Sequence, residues 1–551
     1  MTDSLIRRLE VAAGRGQELV MLDGPAPEHL SWGALHEDAR RMAACLQVRG
    51  VAPGDRVALL GSTSRGMLTA IQASWLAGAA VIVPPLRTRL ESDEEFRSRT
   101  QARMSQGEAA VVVCDPDLVA VSSGPSLPEP VTFPELSAAA AGISDAAFER
   151  PPEDAERTTI LQFTSGSTAD PKGVVIPERC LLANLDALVA RDPFAIPGDT
   201  IMSWLPLYHD MGLVAITALA MTTGIRLVNA PPARFIASPG SWMQWMEAFD
   251  GTWTLGPNFS LAVAARFLRG GGKVDLRACR RVGSGSEPVD PAVMFGLAEA
   301  GADHGLDPTG LFAAYGMAEA TVVVSFPAPG AGFTTDVVDG ELLETERRAE
   351  PCPPDDASAR LIARCGPPVE GMEVRIVDPE MGSLLEDRTA GEIELRGPSV
   401  VPGYFRRPDA TAQAFREEGW LKTGDLGYFA EGDLVVCGRI KDLLIVGGRN
   451  IFPEDVERSV QKVDGVRPGN VIAFGIERGR KGDAMVVVAE LKGDDAEATR
   501  REILRAVREA VGVRPDDVVL LAPGALPKTS SGKLRRSECR ARYQAGELEQ
   551  L

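Results

Sequence analysis

The chain has 551 residues, longer than one hydrophobic core usually grows, so more than one domain is expected. Apolar residues make up 44% and charged residues 25%, the balance of a globular chain and not of a disordered one. The formal net charge of -19 speaks against binding nucleic acid or an anionic membrane through bulk electrostatics, though it leaves room for a local basic pocket.

In chain order, MTDSLIRRLEVAAGRGQ reads as an amphipathic helix and lacks the apolar core of a secretory signal. Arg56 to Leu60 and Ala109 to Val113 are short apolar runs of buried-strand type, with a helical pattern from Met67 to Leu76 between them. The uncharged window Met67 to Leu86 has the length of a membrane span, but Thr69, Gln72, Ser74, Gly78 and the pair Pro84-Pro85 interrupt it. A buried helix running into a buried strand accounts for it better, so no integral membrane span is expected. The strand-like runs continue at Thr200 to Trp204, Arg226 to Val228 and Arg280 to Gly283, an alternation that implies parallel β-α units covered by helices on both faces.

From about Gly366 the pattern changes to shorter strands and turns that read as antiparallel, after an Asp/Pro/Ala-rich stretch, Glu346 to Ala359, that reads as an exposed loop. The last roughly 110 residues carry helices at Pro453 to Val463 and Ala496 to Val511, and strands at Val471 to Gly475 and Ala484 to Leu491. That is enough for a small separate α+β domain, with its natural boundary at Arg439 to Asp442. The eight cysteines include no C-x-x-C pair and only four histidines exist, so free thiols in a reducing, cytoplasmic setting are expected and a zinc site is not.

The chemistry concentrates in a few stretches. TSGSTADPKG, Thr164 to Gly173, follows the apolar run Ile160 to Phe163. Its glycines, hydroxyls and lysine suit either a surface turn or a phosphate cradle, in which backbone N–H groups approach an anion closely; the Walker A spacing is absent. Six more stretches stand out: SWLPLYHDMGL (Ser203 to Leu213), GSGSEPV (Gly283 to Val289), AAYGMAEAT (Ala313 to Thr321), LKTGDLGY (Leu421 to Tyr428), GRIKD (Gly438 to Asp442) and LPKTSSGKLRR (Leu526 to Arg536).

Together, and in this order, the seven resemble the signature motifs of the adenylate-forming superfamily, and the resemblance covers nearly the whole chain. That group includes acyl-CoA synthetases, peptide-synthetase adenylation domains, luciferases and fatty acyl-AMP ligases. SWLPLYHDMGL, GPNF at Gly256 to Phe259, YGMAEAT, GRIKDLLIVGGRNIFPEDVE and the stretch Thr334 to Asp378 are most similar to the fatty acyl-AMP ligases. The resemblance implies an α/β fold: a large N-terminal adenylate-forming domain of mixed sheets and helices (residues 1–438), a hinge (439–442) and a small mobile α+β C-terminal lid (443–551).

It also implies a reaction. A carboxylic acid, fatty or otherwise bulky and apolar, attacks the α-phosphorus of ATP with Mg2+ present, and the acyl adenylate then passes to a thiol of CoA or of phosphopantetheine on an acyl carrier protein. Lipid or natural-product biosynthesis is the implied setting. By the same resemblance Thr164, Ser165, Gly166, Ser167, Thr168 and Lys172 form the phosphate loop. Ser286, Glu287 and Pro288 line the adenine side, Tyr315 stacks on adenine within the motif that continues through Gly316, Met317, Ala318 and Thr321, and Glu319 is the Mg2+ carboxylate. Asp425 accepts from the ribose hydroxyls, Arg439 contacts ribose or phosphate, and Lys441 is the hinge residue. His209 gates the acyl site or supports closure, Asn258 and Phe259 border the acyl pocket, and Lys533 reaches the carboxylate and α-phosphate on closure. Many relatives have Thr where this chain has Ala318, so that hydroxyl is missing here. Gly447, Gly448 and Arg449 would flank the pantetheine path after rotation, and a loop between Thr334 and Arg364 would impair use of CoA. A CoA synthetase, a luciferase-like monooxygenase and a catalytically silent binding protein are the alternatives, the last opposed by intact Glu319, Asp425 and Lys533.

Overall fold

The structure, a computed structural model, describes residues 3–88, 90–163, 171–194, 197–446, 449–477, 483–493, 495–528 and 533–551. Thr164, Ser165, Gly166, Ser167 and Thr168 of the expected phosphate loop, and Gly447 and Gly448, lie outside the described residues.

Two large sheets form the first half. One has six strands in the order Val131–Thr132, Val111–Cys114, Arg56–Leu60, Ala80–Ile82, Thr158–Phe163 and Gly173–Pro177. The other has seven: Leu311–Ala313, Arg281–Ser284, Trp253–Leu255, Thr200–Ser203, Arg226–Asn229, Glu18–Met21 and Glu28–Ser31. Both are parallel except for the final pair in each order, which is antiparallel. Parallel strands covered on both faces must be apolar throughout, which is why the runs at Arg56–Leu60 and Val111–Cys114 lack polar alternation.

The membrane-length window resolves into a helix, Arg65–Leu76, and a strand, Ala80–Ile82, both inside the protein. Its polar groups are satisfied locally. The Thr69 and Ser74 hydroxyls donate to the carbonyls of Arg65 (2.9 Å) and Ala70 (2.7 Å), and the Gln72 side-chain oxygen lies 3.1 Å from His36 Nδ1. No helix among the described residues is long and apolar enough to cross a membrane.

A four-strand antiparallel sheet follows, in the order Glu373–Val377, Gly391–Arg396, Leu421–Ala430 and Asp433–Arg439. The segment expected as a loop between Thr334 and Arg364 is folded. Strand Thr335–Asp339, helix Gly340–Glu346 and strand Ala359–Ala363 form a unit in which the two strands pair antiparallel from Thr335↔Ala363 to Asp339↔Ala359. Asp339 caps the helix by accepting from Leu342 N (3.0 Å), and the Asp/Pro/Ala-rich stretch is the connection between helix and second strand. Buried Asp336 fastens this unit to the chain that follows it through Arg364 (2.8 Å), Arg388 (3.1 Å) and the Tyr428 hydroxyl (2.9 Å).

After Asp433–Arg439 comes one tight turn, Ile440–Asp442, and then a second body with its own apolar core. Its sheet pairs Val466–Glu477 antiparallel with Asp483–Leu491, which runs parallel to Asp517–Leu521, and helices Pro453–Val460 and Ala496–Val511 pack together on it. Glu457 is buried there: Ala473 N donates to its Oε1 (2.9 Å) and Arg536 lies 2.8 Å away. Burial and the neighbouring Glu454 charge push the Glu457 carboxyl up to about 7 against the pull of Arg536.

The folded state therefore holds this proton more tightly than the unfolded chain does. The stabilisation is complete below the ordinary carboxylate range and is lost as pH rises through about 7. The melting temperature of this C-terminal body, followed calorimetrically in the full chain from pH 5 to 8, should fall more steeply in wild type than in Glu457→Gln, which keeps the acceptor but does not ionise.

Candidate active site

A cleft of about 2310 Å³ is lined by residues from the carboxyl ends of the parallel strands, from the four-strand sheet and from the C-terminal body. In parallel sheets the carboxyl ends are where ligands ordinarily bind. Lys172, His209, Asn258, Phe259, Ser286, Glu287, Pro288, Tyr315, Gly316, Met317, Ala318, Glu319, Asp425, Arg439, Lys441 and Lys533 all line it. Thr321 does not; its hydroxyl is buried and donates to the Ser399 carbonyl (2.8 Å).

That hydroxyl helps to hold the loop carrying Glu319. Thr321 sits at φ 72° and ψ -59°, and Val322 N donates to Ala320 O across it (3.0 Å), a strained γ-turn. Buried Asn184 donates to the carbonyls of Ala320 (3.1 Å) and Val323 (2.9 Å) and accepts from Val323 N (3.2 Å), while Val401 N donates to Glu319 O (3.0 Å). On this platform the Glu319 carboxylate faces the cleft and accepts from the Tyr404 hydroxyl (2.9 Å); Lys172 Nζ lies 4.8 Å from the centre of the Tyr404 ring. Burial raises the Glu319 carboxyl and Tyr404 only partly offsets it. A carboxylate whose charge is poorly compensated by the protein suits a cation bound with phosphate oxygens. Among the described residues no group of three or more His, Cys, Asp or Glu could hold a metal ion.

On another wall Tyr315 donates to Asp425 Oδ2 (2.7 Å), and Arg439 Nε lies 3.2 Å from Asp425 Oδ1. Asp425 is buried, and desolvation pushes its carboxyl up against the opposing effects of Arg439 and Tyr315. The two strands that carry Asp425 and Arg439 place them directly opposite each other.

The third wall brings the second motif and the last one together. Lys533 Nζ lies 2.8 Å from His209 Nε2, and His209 Nδ1 lies 2.5 Å from Asp210 Oδ1. Desolvation lowers the pKa of Lys533, Glu287 and Asp210 oppose this, and Arg439 adds to it. Met211 N donates to Asp210 Oδ1 (2.8 Å) and to His209 Nδ1 (3.2 Å), which holds the pair at the start of the helix that follows. His209 precedes a wide helical turn, Met211–Ala218, of π type. Gly212 is required in it: a Cβ there would come within 2.3 Å of the Pro206 carbonyl oxygen.

Helix Asn258–Arg269 lines the cleft with Asn258, Phe259, Ala262, Val263 and Arg266, one face of the helix over two turns. Asn258 is held at its start. Its backbone N–H donates to Glu287 Oε1 (2.8 Å), its side-chain amide donates to Pro288 O (2.8 Å), and its side-chain oxygen accepts from Asp290 N (3.0 Å). Phe259 leans edge-on against Trp204 and Phe235, ring centres 6.1 Å away in both cases.

Residues 9–405 match the profile of the AMP-binding enzyme family. The chain belongs to that family. A protein of Mycobacterium tuberculosis named as a ligase, Rv1013, is 39% identical over 93% of this chain and 94% of its own length. The long-chain-fatty-acid–AMP ligase FadD26 of Mycobacterium marinum is 34% identical over 95% of this chain and 93% of its own. A solved structure from a study of fatty acyl-adenylate ligases of E. coli and L. pneumophila superposes with a TM-score of 0.91 at 27% identity, covering 99% of this chain and 98% of that one.

AMP-binding enzymes use ATP, and the three-walled cleft is where this member's motif residues meet. Sequence reasoning passed over Tyr404 and Asp210. Tyr404 lies in VPGYFRR, outside every motif, and reaches Glu319 only through the fold, so no local signal marks it. Asp210 lies within SWLPLYHDMGL, and its adjacency to His209 is the available clue. Asp425→Asn should weaken ATP binding by about 1.5–3 kcal/mol, the usual worth of a hydrogen bond to a charged group, and so raise the KM for ATP roughly 10- to 100-fold in pyrophosphate exchange.

Proposed function

We propose that this AMP-binding enzyme activates a fatty or otherwise bulky apolar carboxylic acid as its acyl adenylate, and then passes the acyl group to the phosphopantetheine thiol of a carrier protein. The observation that carries this reading is Lys533 inside the cleft at 2.8 Å from His209, with Glu319 and Asp425 on the other walls. In the first step a carboxylate oxygen bonds to the α-phosphorus of ATP and the bond to pyrophosphate breaks. In the second, the thiol sulfur bonds to the acyl carbon, AMP leaves, and the thiol proton is released.

Charge grows on the phosphate and carboxylate oxygens in the first step, and fixed cations and donors aimed at it supply much of the catalysis. Lys533 is that cation, and the incoming carboxylate and α-phosphate replace His209 as its partner. Asp425 accepts from the ribose hydroxyls, with Arg439 beside it, and Tyr315 offers its ring to adenine along the Ser286 to Pro288 edge. Lys172 and the loop Thr164 to Thr168 serve the phosphates. Mg2+, held by Glu319 together with phosphate oxygens, would neutralise part of their charge. Phe259 and Asn258 begin the acyl wall. Residues 1–438 act as the body, 439–442 as a hinge turning at Lys441, and 443–551 as a lid. All eight cysteines are free, which supports a reducing, cytoplasmic setting.

The folded unit Thr335–Ala363 supports a carrier thiol over CoA as acceptor. Its Glu344 side chain lies 2.5 Å from Arg449, its Glu344 carbonyl accepts from Asn450 (3.1 Å), and its Arg360 reaches Asp455 (2.9 Å) with its guanidinium 3.8 Å from the centre of the Phe452 ring. Each contact ties the unit to the body that would have to rotate before a thiol could attack.

Lys533→Ala should abolish ATP–pyrophosphate exchange while sparing thiol attack on supplied acyl adenylate; exchange near the wild-type rate would overturn the assignment. Mass spectrometry of protein, ATP, Mg2+ and apolar acids with CoA or a pantetheinylated carrier tests the acceptor. Acyl-AMP accumulating with CoA and loading onto the carrier is expected, whereas rapid acyl-CoA formation would make the chain a CoA synthetase. Shortening 340–358 should raise CoA turnover, and an unchanged or lower rate would count against the brake.

A further inference from the structure

Four groups of the hinge and lid meet at one side chain outside the catalytic set. Arg536 follows Lys533 by three residues and opens helix Arg536–Ala545. Its guanidinium is turned inward. Nη1 donates to Asp442 Oδ2 (3.0 Å), Nη2 donates to Glu457 Oε1 (2.8 Å) and faces Glu454 Oε1 (3.5 Å), and Nε donates to the Ala473 carbonyl (2.9 Å). Ala473 belongs to the edge strand Val466–Glu477, and its N–H also donates to Glu457 (2.9 Å). The outward-facing backbone pair of that edge is therefore capped by the same cluster.

These contacts join the hinge to the segment that carries the lysine. Asp442 closes the turn Ile440–Asp442, immediately after Lys441. The segment bearing Lys533 is closed at its base: Leu526 N donates to buried Glu490 (3.0 Å), Lys528 and Leu534 form a β-bridge, and Arg535 N donates to Pro527 O (2.9 Å). Arg536 is the next residue, so the rigid base of the segment is bolted directly to the hinge exit. A lysine side chain has four rotatable bonds and cannot fix its own ammonium; its aim depends on the backbone it leaves. A shift of about 1 Å in a reacting group can cost on the order of 100-fold in rate.

We propose that Arg536 is the positioning residue for Lys533, fastening the lysine-bearing segment to Asp442 at the hinge exit and to Glu457 of helix Pro453–Val460. The inference rests on the role given to Lys533 above. The planar guanidinium suits the task because one group reaches three carboxylates and a carbonyl in fixed directions, which a lysine at 536 would not. Asp442, Glu454 and Glu457 share this single cation, so removing Arg536 takes away the one group that joins them and opens the clasp.

The test compares wild type, Lys533→Ala, Arg536→Gln, Arg536→Lys and Asp442→Asn in the full chain. In ATP–pyrophosphate exchange Arg536→Gln should lose roughly 100-fold in kcat, with KM for ATP changed less than about threefold, because the site still binds nucleotide but the ammonium is misaimed. Transfer of the acyl group from supplied acyl adenylate to a pantetheinylated carrier should stay within about threefold, since it does not need Lys533. Hydrogen–deuterium exchange should quicken in 526–536 and stay unchanged in helix Ala496–Val511. Arg536→Lys should recover part of the exchange rate, and Asp442→Asn should lower it in the same direction while quickening 526–536. Exchange within threefold of wild type in Arg536→Gln, or both half-reactions falling together with loss of protection across 443–551, overturns the proposal. If Lys533→Ala keeps its exchange activity, the role of Lys533 fails instead. The hydrogen exchange of 526–536 then decides: quickening in Arg536→Gln supports the tether, and an unchanged rate overturns it.

Discussion

An ammonium withdrawn from bulk water is the constraint around which the molecule is arranged. Desolvation disfavours the charged form of Lys533, and Glu287 and Asp210 are what keep a cation tenable there. Those two carboxylates come from different strand ends of the seven-strand sheet, while the lysine comes from the other end of the chain. The contact therefore exists only when the C-terminal body is seated on the cleft. Everything that fixes Asp210, Glu287 and the lysine-bearing segment fixes the closed geometry.

Much of the fixing is done by hydrogen bonds between side chains and backbone. Asn184 and Ser399 hold the strained turn behind Glu319, and Asn258 straps the Glu287 to Asp290 stretch to the start of its own helix. Such contacts let loops at sheet ends behave as rigid parts, which is what charge stabilisation without reorganisation demands. The aromatic wall of Trp204, Phe235 and Trp242 behind Phe259 does the same for the apolar side of the cleft.

Much of this was legible beforehand, and for physical reasons. Strands buried on both faces leave continuous apolar runs, so Arg56–Leu60, Thr200–Ser203 and Arg226–Asn229 could be read within a residue or so. Motifs spaced across hundreds of residues could be recognised by their joint presence and order, although only the fold shows that Lys172, Glu319, Asp425 and Lys533 share one cleft. Other features depend on partners distant in the chain and leave no local trace. Thr321 lies within a motif yet turns away because Ser399, far along the sequence, accepts its hydroxyl. The stretch read as a loop before Arg364 pairs two strands about twenty residues apart, and its Pro- and Asp-rich middle hid that register. Arg536 ends the motif LPKTSSGKLRR with no role of its own in the sequence reading, and only its four partners give it direction.

The ties from Thr335–Ala363 to the C-terminal body carry a thermodynamic consequence for the proposed lid. A ligand that needs the turned lid binds with its intrinsic affinity multiplied by the fraction of molecules already turned. Every 1.4 kcal/mol that Glu344, Arg360 and their partners add to the seated state lowers that fraction about tenfold, and does so equally for every thiol. A small free thiol has only its own few contacts with which to offset this, whereas a folded carrier brings a protein surface. The equilibrium thus sets a threshold common to all acceptors, and the contacts each acceptor makes decide which of them clears it.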